Sequence, residues 1–355
     1  MKGLLQRSGP GSTTMKRIAE DLGVSVTTVS KVLNNRADIG DATRARVLSR
    51  VAEVGYQPNA VARSLTLRRT HTLGIVIPDL MHSFFVEVIA GLEAVVNARG
   101  YGMLLCNSEE DPRKERSELQ LLSQRQVDGI VLASAAASAN TDLLHHLTSR
   151  GVGLVMIDRD DNPDIRCDRV LTDDVEVGRL ATAHLIAQGR RAVAHIAGPR
   201  VVHAMRRAAG YRRALTEAGL RVRRDWIIPG GFREADGYRA MTRLLASAER
   251  PDAVFAANDP AAIGALKAVW DAGLRVPQDV ALAGAGDIAH GDLLRVPLTT
   301  VTWPRDELGR RAAELLLERL DGNAASRYQR VILPPRLVAR ASSGAATAAA
   351  TGVSM

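Results

Sequence analysis

Hydrophobic and polar positions follow two different patterns along the chain, and the change falls near residue 70. From Thr14 to Gly55, apolar residues recur at three- and four-residue steps, which predicts helices without a convincing strand. Beyond the polar, basic segment 66–72, short apolar runs such as 73–78 and 153–158 alternate with amphipathic stretches. One of those stretches places a single apolar stripe at Phe85, Val88, Ile89, Leu92, Val95 and Val96. This alternation predicts parallel sheets covered by helices on both faces.

The pattern divides the chain into a small helical head, a linker and a large α/β body. The body of roughly 250 residues is large for one sheet, and its size favours two α/β lobes. Residues 1–12 are rich in Gly and Ser, and the segment after Ala341 is of low complexity, so we expect both ends to lack a packed structure.

Charge is concentrated in the head. The first 70 residues hold twelve Lys and Arg against five Asp and Glu, a net charge of +7 out of +8 for the chain. A basic module on a nearly neutral body is typical of a protein that binds a polyanion. The two cysteines, Cys106 and Cys167, exclude a disulfide scaffold and a Cys/His zinc site, and they favour the cytoplasm. No apolar run approaches bilayer length and no secretory signal is visible, so we expect no membrane partner.

The spacing of cap residues in the head predicts a helix-turn-helix. Thr14 can cap a first helix that ends at Gly23, Ser25 can cap a second over 26–33, and Asp41 can cap a third. In this arrangement the second helix enters the major groove of DNA by its N-terminal turn. Three short helices around one core also occur in proteins that do not bind DNA, so the spacing alone leaves that alternative open. The charge favours DNA.

Two long motifs in the head closely resemble the LacI/GalR family of bacterial transcription regulators. Residues Val24 to Asn34 read VSVTTVSKVLN, and residues Gly55 to Leu65 read GYQPNAVARSL. The resemblance continues to about Ser343. It implies an all-α helix-turn-helix headpiece joined to an α/β body of two Rossmann-like lobes, similar to periplasmic binding proteins. The implied domains are a headpiece at 13–58, a hinge helix and linker at 59–72, a body at 73–343 and a tail at 344–355; within the body, one lobe covers about 73–171 and 303–331 and the other about 172–302 and 332–343.

The resemblance also assigns residues that would contact DNA. The implied base contacts are Val26, Thr27 and Lys31; the implied phosphate contacts are Thr14, Ser25, Thr28, Ser30 and Asn34; the implied minor-groove hinge residues are Asn59, Ala62, Arg63 and Leu65. Val26 could pack on a thymine methyl group and Lys31 could donate to a guanine. Leu65 would wedge into a base step. Ordinary surface polarity at Thr28 and Ser30, and burial of Leu65 against its own body, remain alternatives.

In the body the resemblance implies a cleft for a small effector, at the carboxyl ends of parallel strands. The implied effector-binding residues are Phe84, Phe85, Asn107, Asp158, Arg207, Phe232, Asn258, Asp259 and Asp287. Asp259 could instead cap the helix that begins at Pro260. Relatives that respond to sugars usually carry an acid where this chain has Gly286. With Arg200 and Arg206 near Arg207, that loss suggests an anionic effector such as a sugar acid.

The resulting hypothesis is a repressor that binds a pseudo-palindromic DNA operator as a homodimer and is controlled by a sugar or sugar acid. No cofactor, metal or enzymatic activity is expected. Alternatives are a DNA-binding protein that ignores ligands, a small-molecule-binding protein and an NAD-dependent oxidoreductase. The last rests on the string GAGDIA at 284–289, with Asp306 twenty residues after Gly286, which fits a dinucleotide fingerprint. The tail lacks leucine, so a coiled coil there is excluded and a dimer is favoured.

Overall fold

The computed structural model describes residues 14–33, 36–56, 69–135, 137–159, 162–323 and 327–344. The chain divides into two compact units, residues 1–70 and 71–355. The predicted lead and nearly all of the predicted tail lie outside the described residues, as do Asn34 and the four hinge residues Asn59, Ala62, Arg63 and Leu65.

The described residues of the head form the helices α1 (Met15–Leu22), α2 (Val26–Leu33) and α3 (Asp41–Glu53). The Thr14 side chain caps α1 by accepting the Arg17 backbone N–H at 3.3 Å. Gly23 ends α1 in the left-handed region at φ 65°, where a residue without Cβ is favoured. The Ser25 hydroxyl caps α2 by accepting the Thr28 N–H at 3.0 Å. The helix-turn-helix prediction is confirmed.

One predicted cap in the head is wrong. Gly40 occupies the cap position of α3, and Asp41 is the first helical residue. An acid in the first turn still favours the helix, because its charge opposes the positive end of the helix dipole.

Each helix of the head buries an apolar face in one small core. Ile18 of α1, Val29 of α2 and Val47 of α3 are fully buried there. Two arginines of α3 fix it against α1. Arg46 donates to the Leu22 carbonyl at 2.9 Å, and Arg50 donates to the Asp21 carboxylate at 2.6 and 3.0 Å.

The body alternates strands and helices along its length. Its strands are β1 (Thr72–Ile77), β2 (Gly102–Asn107), β3 (Gly129–Leu132), β4 (Gly153–Ile157), β5 (Asp168–Thr172), β6 (Val193–Ala197), β7 (Ile227–Pro229), β8 (Ala253–Ala256), β9 (Ala281–Ala283), β10 (Thr300–Thr302), β11 (Arg330–Leu333) and β12 (Arg336–Val338). Its α-helices are α4 (Ser83–Ala98), α5 (Pro112–Gln124), α6 (Thr141–Ser149), α7 (Asp174–Ala187), α8 (Val202–Glu217), α9 (Glu234–Leu245), α10 (Asp259–Asp271) and α11 (Arg305–Leu320). The predicted α/β class is confirmed.

Two parallel sheets form the centres of two lobes. The first lobe contains six strands in the order β11-β5-β4-β3-β1-β2, and the second contains four in the order β7-β6-β8-β9. An antiparallel pair, β10 and β12, lies on segments where the chain passes between the lobes. Strand β11 pairs with β5 as far as Leu333, so it extends past the boundary predicted at 331.

The central strands of both sheets are buried on both faces, which explains why they are continuous apolar runs. All five residues of β4 and all four of β8 are buried. The largest apolar cluster continues from one lobe into the other, and it includes Phe84, Tyr211, Phe255 and Trp303. The two lobes therefore share part of their core.

Three helix pairs of the body cross at reciprocal glycines. They are Gly91 of α4 with Gly309 of α11, Gly178 of α7 with Gly210 of α8, and Gly237 of α9 with Gly264 of α10. A Cβ atom at any of these positions would lie 1.8–2.0 Å from a backbone oxygen of the facing helix. At Gly178 that oxygen belongs to Arg207. The crossing of α7 and α8 therefore sets the position of a residue of the predicted ligand site.

We expect Gly178→Ala to destabilise the body, since the added methyl group must push α7 and α8 apart. Overpacking of this kind costs about 1–3 kcal/mol, or more when backbone must move. Urea denaturation measures the loss. Gly102→Ala in β2 is the matched control, because its nearest neighbour would be the His71 carbonyl at 4.0 Å. A surface change of that kind falls within about 0.5 kcal/mol. Equal losses in the two variants would contradict the close crossing.

Candidate functional sites

The second helix of the head presents an exposed surface at its N-terminal half. Val26 and Thr27 are exposed, and Val26 keeps 43% of its surface in solvent although it is apolar. Thr27 and Lys31 lie four residues apart and therefore on one side of α2. The buried Val29 and Val32 lie on the other side. The three residues predicted to contact bases thus share a surface that a DNA groove could reach.

Lys31 is engaged in an ion pair within the head. Its ammonium group lies 2.5 Å from a carboxylate oxygen of Asp38, in the loop before α3. The hydrogen bond from Lys31 lowers the pKa of Asp38. Contact between Lys31 and a base would require Lys31 to leave Asp38. The sequence did not reveal this ion pair, because the two residues belong to different elements.

The hydroxyl residues predicted to contact phosphates lie mainly at helix starts. Thr14 precedes α1, and Ser25 and Thr28 share a hydrogen bond of 2.9 Å at the start of α2. Helix N-termini favour phosphates, since their backbone N–H groups and dipoles attract negative charge. Ser30 is half-buried within α2.

The body contains a cavity of about 420 Å³ between its two sheets. It lies at the carboxyl ends of the parallel strands, where the lining residues follow β1, β2, β3, β4, β6, β7, β8 and β9. The charged lining residues are the carboxylates Asp79, Glu110, Asp158 and Asp236 and the guanidiniums Arg159, Arg207 and Arg233. This position agrees with the rule that open parallel sheets bind ligands outside their strand ends.

Aromatic rings form apolar walls on both sides of the cavity. Phe84 and Phe85 begin α4, and their ring centroids lie 4.8 Å apart in an edge-on contact. Trp303 follows β10 and lies 5.9 Å from Phe84. In the other lobe, Phe232 stacks on His203 at 5.1 Å. Such walls suit a ligand with at least one apolar face.

Arg207 lies at the cavity with its charge almost removed from solvent. Its Nε donates to Asp174 at 2.9 Å, and its Nη1 donates to the Ala257 carbonyl at 2.8 Å. Its guanidinium carbon lies 5.1 Å from the centre of the Trp303 ring. Burial raises the pKa of Asp174 to about 6, and the charge of Arg207 opposes that rise.

A second arginine, Arg159, lines the opposite lobe. Two nitrogens of its guanidinium donate to the two carboxylate oxygens of Glu110 at 2.6 and 2.8 Å. It also donates to the Ser134 carbonyl at 2.9 Å, and its Nε lies 3.7 Å from Asp158. Asp158 itself has a left-handed backbone, φ 63°, which side-chain-bearing residues rarely adopt.

Two histidines line the cavity, His82 and His203. Burial lowers the pKa of both, and it places the pKa of His203 well below its usual value of 6.5. His203 is 4% exposed, and its Nδ1 makes no hydrogen bond to the part of the chain that the structure describes. Both rings are therefore neutral near pH 7 and offer hydrogen-bonding atoms rather than charge.

Six of the nine residues predicted for the ligand site line this cavity: Phe84, Phe85, Asp158, Arg207, Phe232 and Asn258. Asn258 also caps α10 by accepting the Ala261 N–H at 3.0 Å. Its amide nitrogen donates to the Phe232 carbonyl at 2.8 Å and so fixes the loop that carries the aromatic ring.

The other three, Asn107, Asp259 and Asp287, do not line the cavity, and we correct that part of the prediction. Asn107 accepts the Leu80 N–H at 3.3 Å and so supports the loop after β1. Asp287 pairs with Arg340 at 2.7 Å.

Asp259 is buried behind the cavity loop, and burial raises its pKa to about 6. Its carboxylate accepts the Thr300 hydroxyl at 2.7 Å and the Ile288 N–H at 2.9 Å. The alternative that Asp259 caps its helix is also wrong, since Asn258 does so.

The dinucleotide fingerprint at 284–289 fails in the structure. Strand β9 ends at Ala283, and no helix begins within the string, which continues as a loop toward β10. A fingerprint of this kind needs a helix N-terminus to hold the pyrophosphate. Asp306 lies in α11, where its backbone carbonyl packs against Gly91. Within the described residues, no group of three His, Cys, Asp or Glu side chains could hold a metal ion.

Sequence reasoning missed several cavity residues: His82, Glu110, Arg159, His203 and Trp303. Arg159 directly follows the predicted Asp158, and His203 precedes Arg207 by one helical turn, so their spacing could have found them. The sequence contains no such signal for Glu110, because the direction of its side chain depends on the backbone conformation of its loop.

Each of the two units matches a known protein family. Residues 14–59 match the bacterial regulatory proteins of the lacI family, and residues 182–343 match a periplasmic binding protein-like domain. The transcriptional repressor PurR of Haemophilus influenzae (strain PittEE) is 35% identical over 333 residues, which cover 93% of this chain and 98% of that protein. The chain belongs to the lacI family of bacterial regulatory proteins. Its head is the DNA-binding domain of a transcription regulator, and its body is the effector-binding domain.

Two further regulators are similar to this chain over most of its length. The ribose operon repressor of Escherichia coli (strain K12) is 36% identical over 334 residues, which cover 93% of this chain and 99% of that protein. A crystal structure of the lac repressor dimer, bound to operator and an anti-inducer, is 25% identical with a TM-score of 0.82, over 93% of this chain and 99% of that one. None of the helices that the structure describes has the length and apolar character needed to cross a bilayer.

The lowered pKa of His203 predicts that this residue contributes a loss of stability in mild acid. Below about pH 6.5 the unfolded chain binds a proton at His203 that the folded chain does not, so the contribution of His203 to the free energy of unfolding falls as pH falls. The slope for one group is at most about 1.4 kcal/mol per pH unit. Urea unfolding between pH 5 and 7.5 should show a smaller slope in His203→Gln than in the wild type. His145→Gln, on the exposed face of α6, controls for loss of a histidine. Equal slopes for all three proteins would contradict the prediction.

Proposed function

We propose that the chain is a repressor that binds a pseudo-palindromic operator as a homodimer. A small metabolite that binds in the cavity lowers or raises its affinity for the operator. The observation that supports this most is the pairing of two built surfaces in one chain. One is the exposed turn of α2 with Val26, Thr27 and Lys31. The other is the cavity at the strand ends, with Arg207 between Asp174 and Trp303. The proposal assigns no reaction to the chain and places it in the cytoplasm with its DNA.

In the proposed complex the start of α2 lies in the major groove. The exposed Val26 packs on a thymine methyl group, and Lys31 leaves Asp38 to donate to a guanine. Thr14 and Ser25 bring the N-termini of α1 and α2 to the phosphates. A homodimer presents this surface twice, so the operator repeats with two-fold symmetry.

The proposed effector is a sugar or sugar acid. The aromatic walls of Phe84, Phe232 and Trp303 suit the apolar face of a sugar ring, and the guanidinium of Arg207 suits its hydroxyl or carboxylate groups. Arg200 and Arg206 do not line the cavity, so an acidic group of the effector would have to be bound by Arg159, Arg207 or Arg233. The size of about 420 Å³ fits a ligand of this class.

The deciding experiment measures operator binding by the purified protein in the presence of sugars, sugar acids and nucleobases. Operator fragments come from genomic footprinting with the same protein. The proposal expects one preferred palindrome and at least one compound that changes affinity for it about tenfold or more, as a coupling of 1–3 kcal/mol implies. Operator affinity that no compound alters would instead support a DNA-binding protein that ignores ligands. Absence of any preferred site would overturn the proposal.

Lys31→Ala should relax specificity at one base pair of each half-site, because a direct base contact is worth about 1–3 kcal/mol of discrimination. Binding to an operator series with single base changes measures this. The matched control is Lys16→Ala on α1, which removes the same charge from an exposed side chain paired loosely with Glu20. The control should weaken binding evenly across the series. An unchanged base preference in Lys31→Ala would remove Lys31 from the groove.

Arg207→Lys should abolish the response to the effector while operator binding persists. A lysine keeps the charge beside Asp174 but loses the planar fork that also reaches the Ala257 carbonyl. We expect effector affinity to fall at least tenfold in calorimetry, with unchanged affinity of the free protein for its operator. Arg213→Lys, on the exposed part of the same helix, is the control. An intact response in Arg207→Lys would show that the effector binds elsewhere.

A further inference from the structure

One carboxylate of the ligand cavity, that of Glu110, already pairs with a guanidinium of the same cavity, that of Arg159. Four carboxylates and three guanidiniums line the cavity, so its formal charge is not positive. The Arg159 side chain is only 4% exposed, and two nitrogens of its guanidinium donate to Glu110 at 2.6 and 2.8 Å. A two-pronged contact of this kind is the one that an arginine makes with the carboxylate or phosphate of a ligand.

Glu110 reaches Arg159 from a loop whose backbone is unusual. Glu109 and Glu110 both lie in the left-handed region, at φ 54° and 59°, although neither is glycine. Two hydrogen bonds pin the loop: the Ser108 N–H to the Ile77 carbonyl at 2.8 Å and the Glu110 N–H to the Pro78 carbonyl at 3.0 Å. For Arg159 to accept another partner, the Glu110 side chain rather than the loop backbone must therefore move. This side chain is 40% exposed and can turn toward solvent.

We propose that Glu110 is a specificity-determining residue that occupies the anion position of the ligand cavity. This inference rests on the function proposed above. With Glu110 in place, the cavity favours neutral polyhydroxylated ligands, because Arg159 already has a carboxylate partner. A ligand with a carboxylate or phosphate group binds at Arg159 only by displacing the Glu110 side chain. Glu110 thus sets the preference of the cavity between a neutral sugar and its acid.

Neighbouring contacts support this role for Glu110 over that of a surface acid. We expect Arg159 to keep its position without Glu110, since the Ser134 carbonyl accepts from it at 2.9 Å and Asp158 lies 3.7 Å away. Ser134 is fixed in turn by the buried Glu115, which accepts its hydroxyl at 2.9 Å. Removal of the Glu110 charge should therefore leave a positioned guanidinium at the cavity wall.

Glu109→Gln provides a matched control for Glu110→Gln. Glu109 lies in the same loop with the same backbone conformation, but it pairs with Lys114 at 2.6 Å and does not line the cavity. The two variants therefore remove equal charge from adjacent residues, and only one of them removes a carboxylate partner of Arg159.

The experiment titrates full-length wild type, E110Q and E109Q with inorganic phosphate, D-glucuronate and D-glucose by calorimetry at constant ionic strength. We expect E110Q to bind phosphate at least tenfold more tightly than the wild type and E109Q do. The ratio of glucuronate affinity to glucose affinity should rise at least tenfold in E110Q where those sugars bind. The gain should vanish in the double variant E110Q/R159M. Circular dichroism establishes whether each variant is folded. If E110Q is unfolded, Glu110→Asp replaces it, because a shorter side chain keeps the charge but reaches Arg159 less well. We expect Glu110→Asp to increase phosphate affinity as well.

Three results would overturn the assignment: no gain for phosphate in E110Q, the same gain in E109Q, or a gain that survives loss of Arg159. Phosphate reports on Arg159 whatever the natural effector is. Operator affinity measured in the same samples tests the proposed function separately. If E110Q binds phosphate more tightly but no compound changes the affinity for the operator, the role of Glu110 is kept and the repressor mechanism is rejected.

Discussion

The buried ion pair between Arg207 and Asp174 is the interaction on which the effector-binding domain most depends. A charge removed from water is costly unless it is paired and hydrogen-bonded, and removal of one partner of such a pair typically costs about 3–5 kcal/mol. Arg207 meets this demand with Asp174 at 2.9 Å and the Ala257 carbonyl at 2.8 Å. The contact is possible because Gly178 and Gly210 let helices α7 and α8 approach without Cβ atoms between them. Two glycines thus determine where the main cation of the cavity lies.

The same principle extends to one further cation at each candidate site. Arg159 pairs with Glu110, and Lys31 pairs with Asp38. These two cations are paired with an acid within the protein before any ligand or DNA binds, so recognition at them in the proposed mechanism is an exchange of partners. The cost of exchange differs between the sites. Lys31 and Asp38 are exposed, and water screens their attraction, whereas the guanidinium of Arg159 is almost fully buried and its partner must be replaced rather than merely lost.

Much of this architecture could be predicted from the sequence because it depends on local rules. Cap residues such as Thr14 and Ser25 and the left-handed Gly23 act within one turn of chain, and apolar runs identify buried strands. Residues at strand ends, such as Asp158 and Asn258, were found through the resemblance to the family, which places the effector at the carboxyl ends of the parallel strands. Neighbours in sequence can still point apart: Asn258 lines the cavity, whereas Asp259 is buried behind it. The direction of Glu110 depends on two left-handed residues that the sequence does not mark, since neither is glycine.

The contacts at Trp303 and Arg305 indicate how a ligand in the cavity can affect the whole effector-binding domain. Trp303 lies where the chain passes between the lobes, and its ring contacts Phe84 of the first lobe and Arg207 of the second. Two residues on, Arg305 pairs with Glu87 of α4 at 3.0 Å and donates to the Asp287 carbonyl of the other lobe at 2.7 Å. A ligand that touches Trp303 therefore touches a ring on which both lobes pack. Because packed interfaces of this kind change between discrete arrangements rather than deform continuously, differential binding at this ring can favour one lobe arrangement over another.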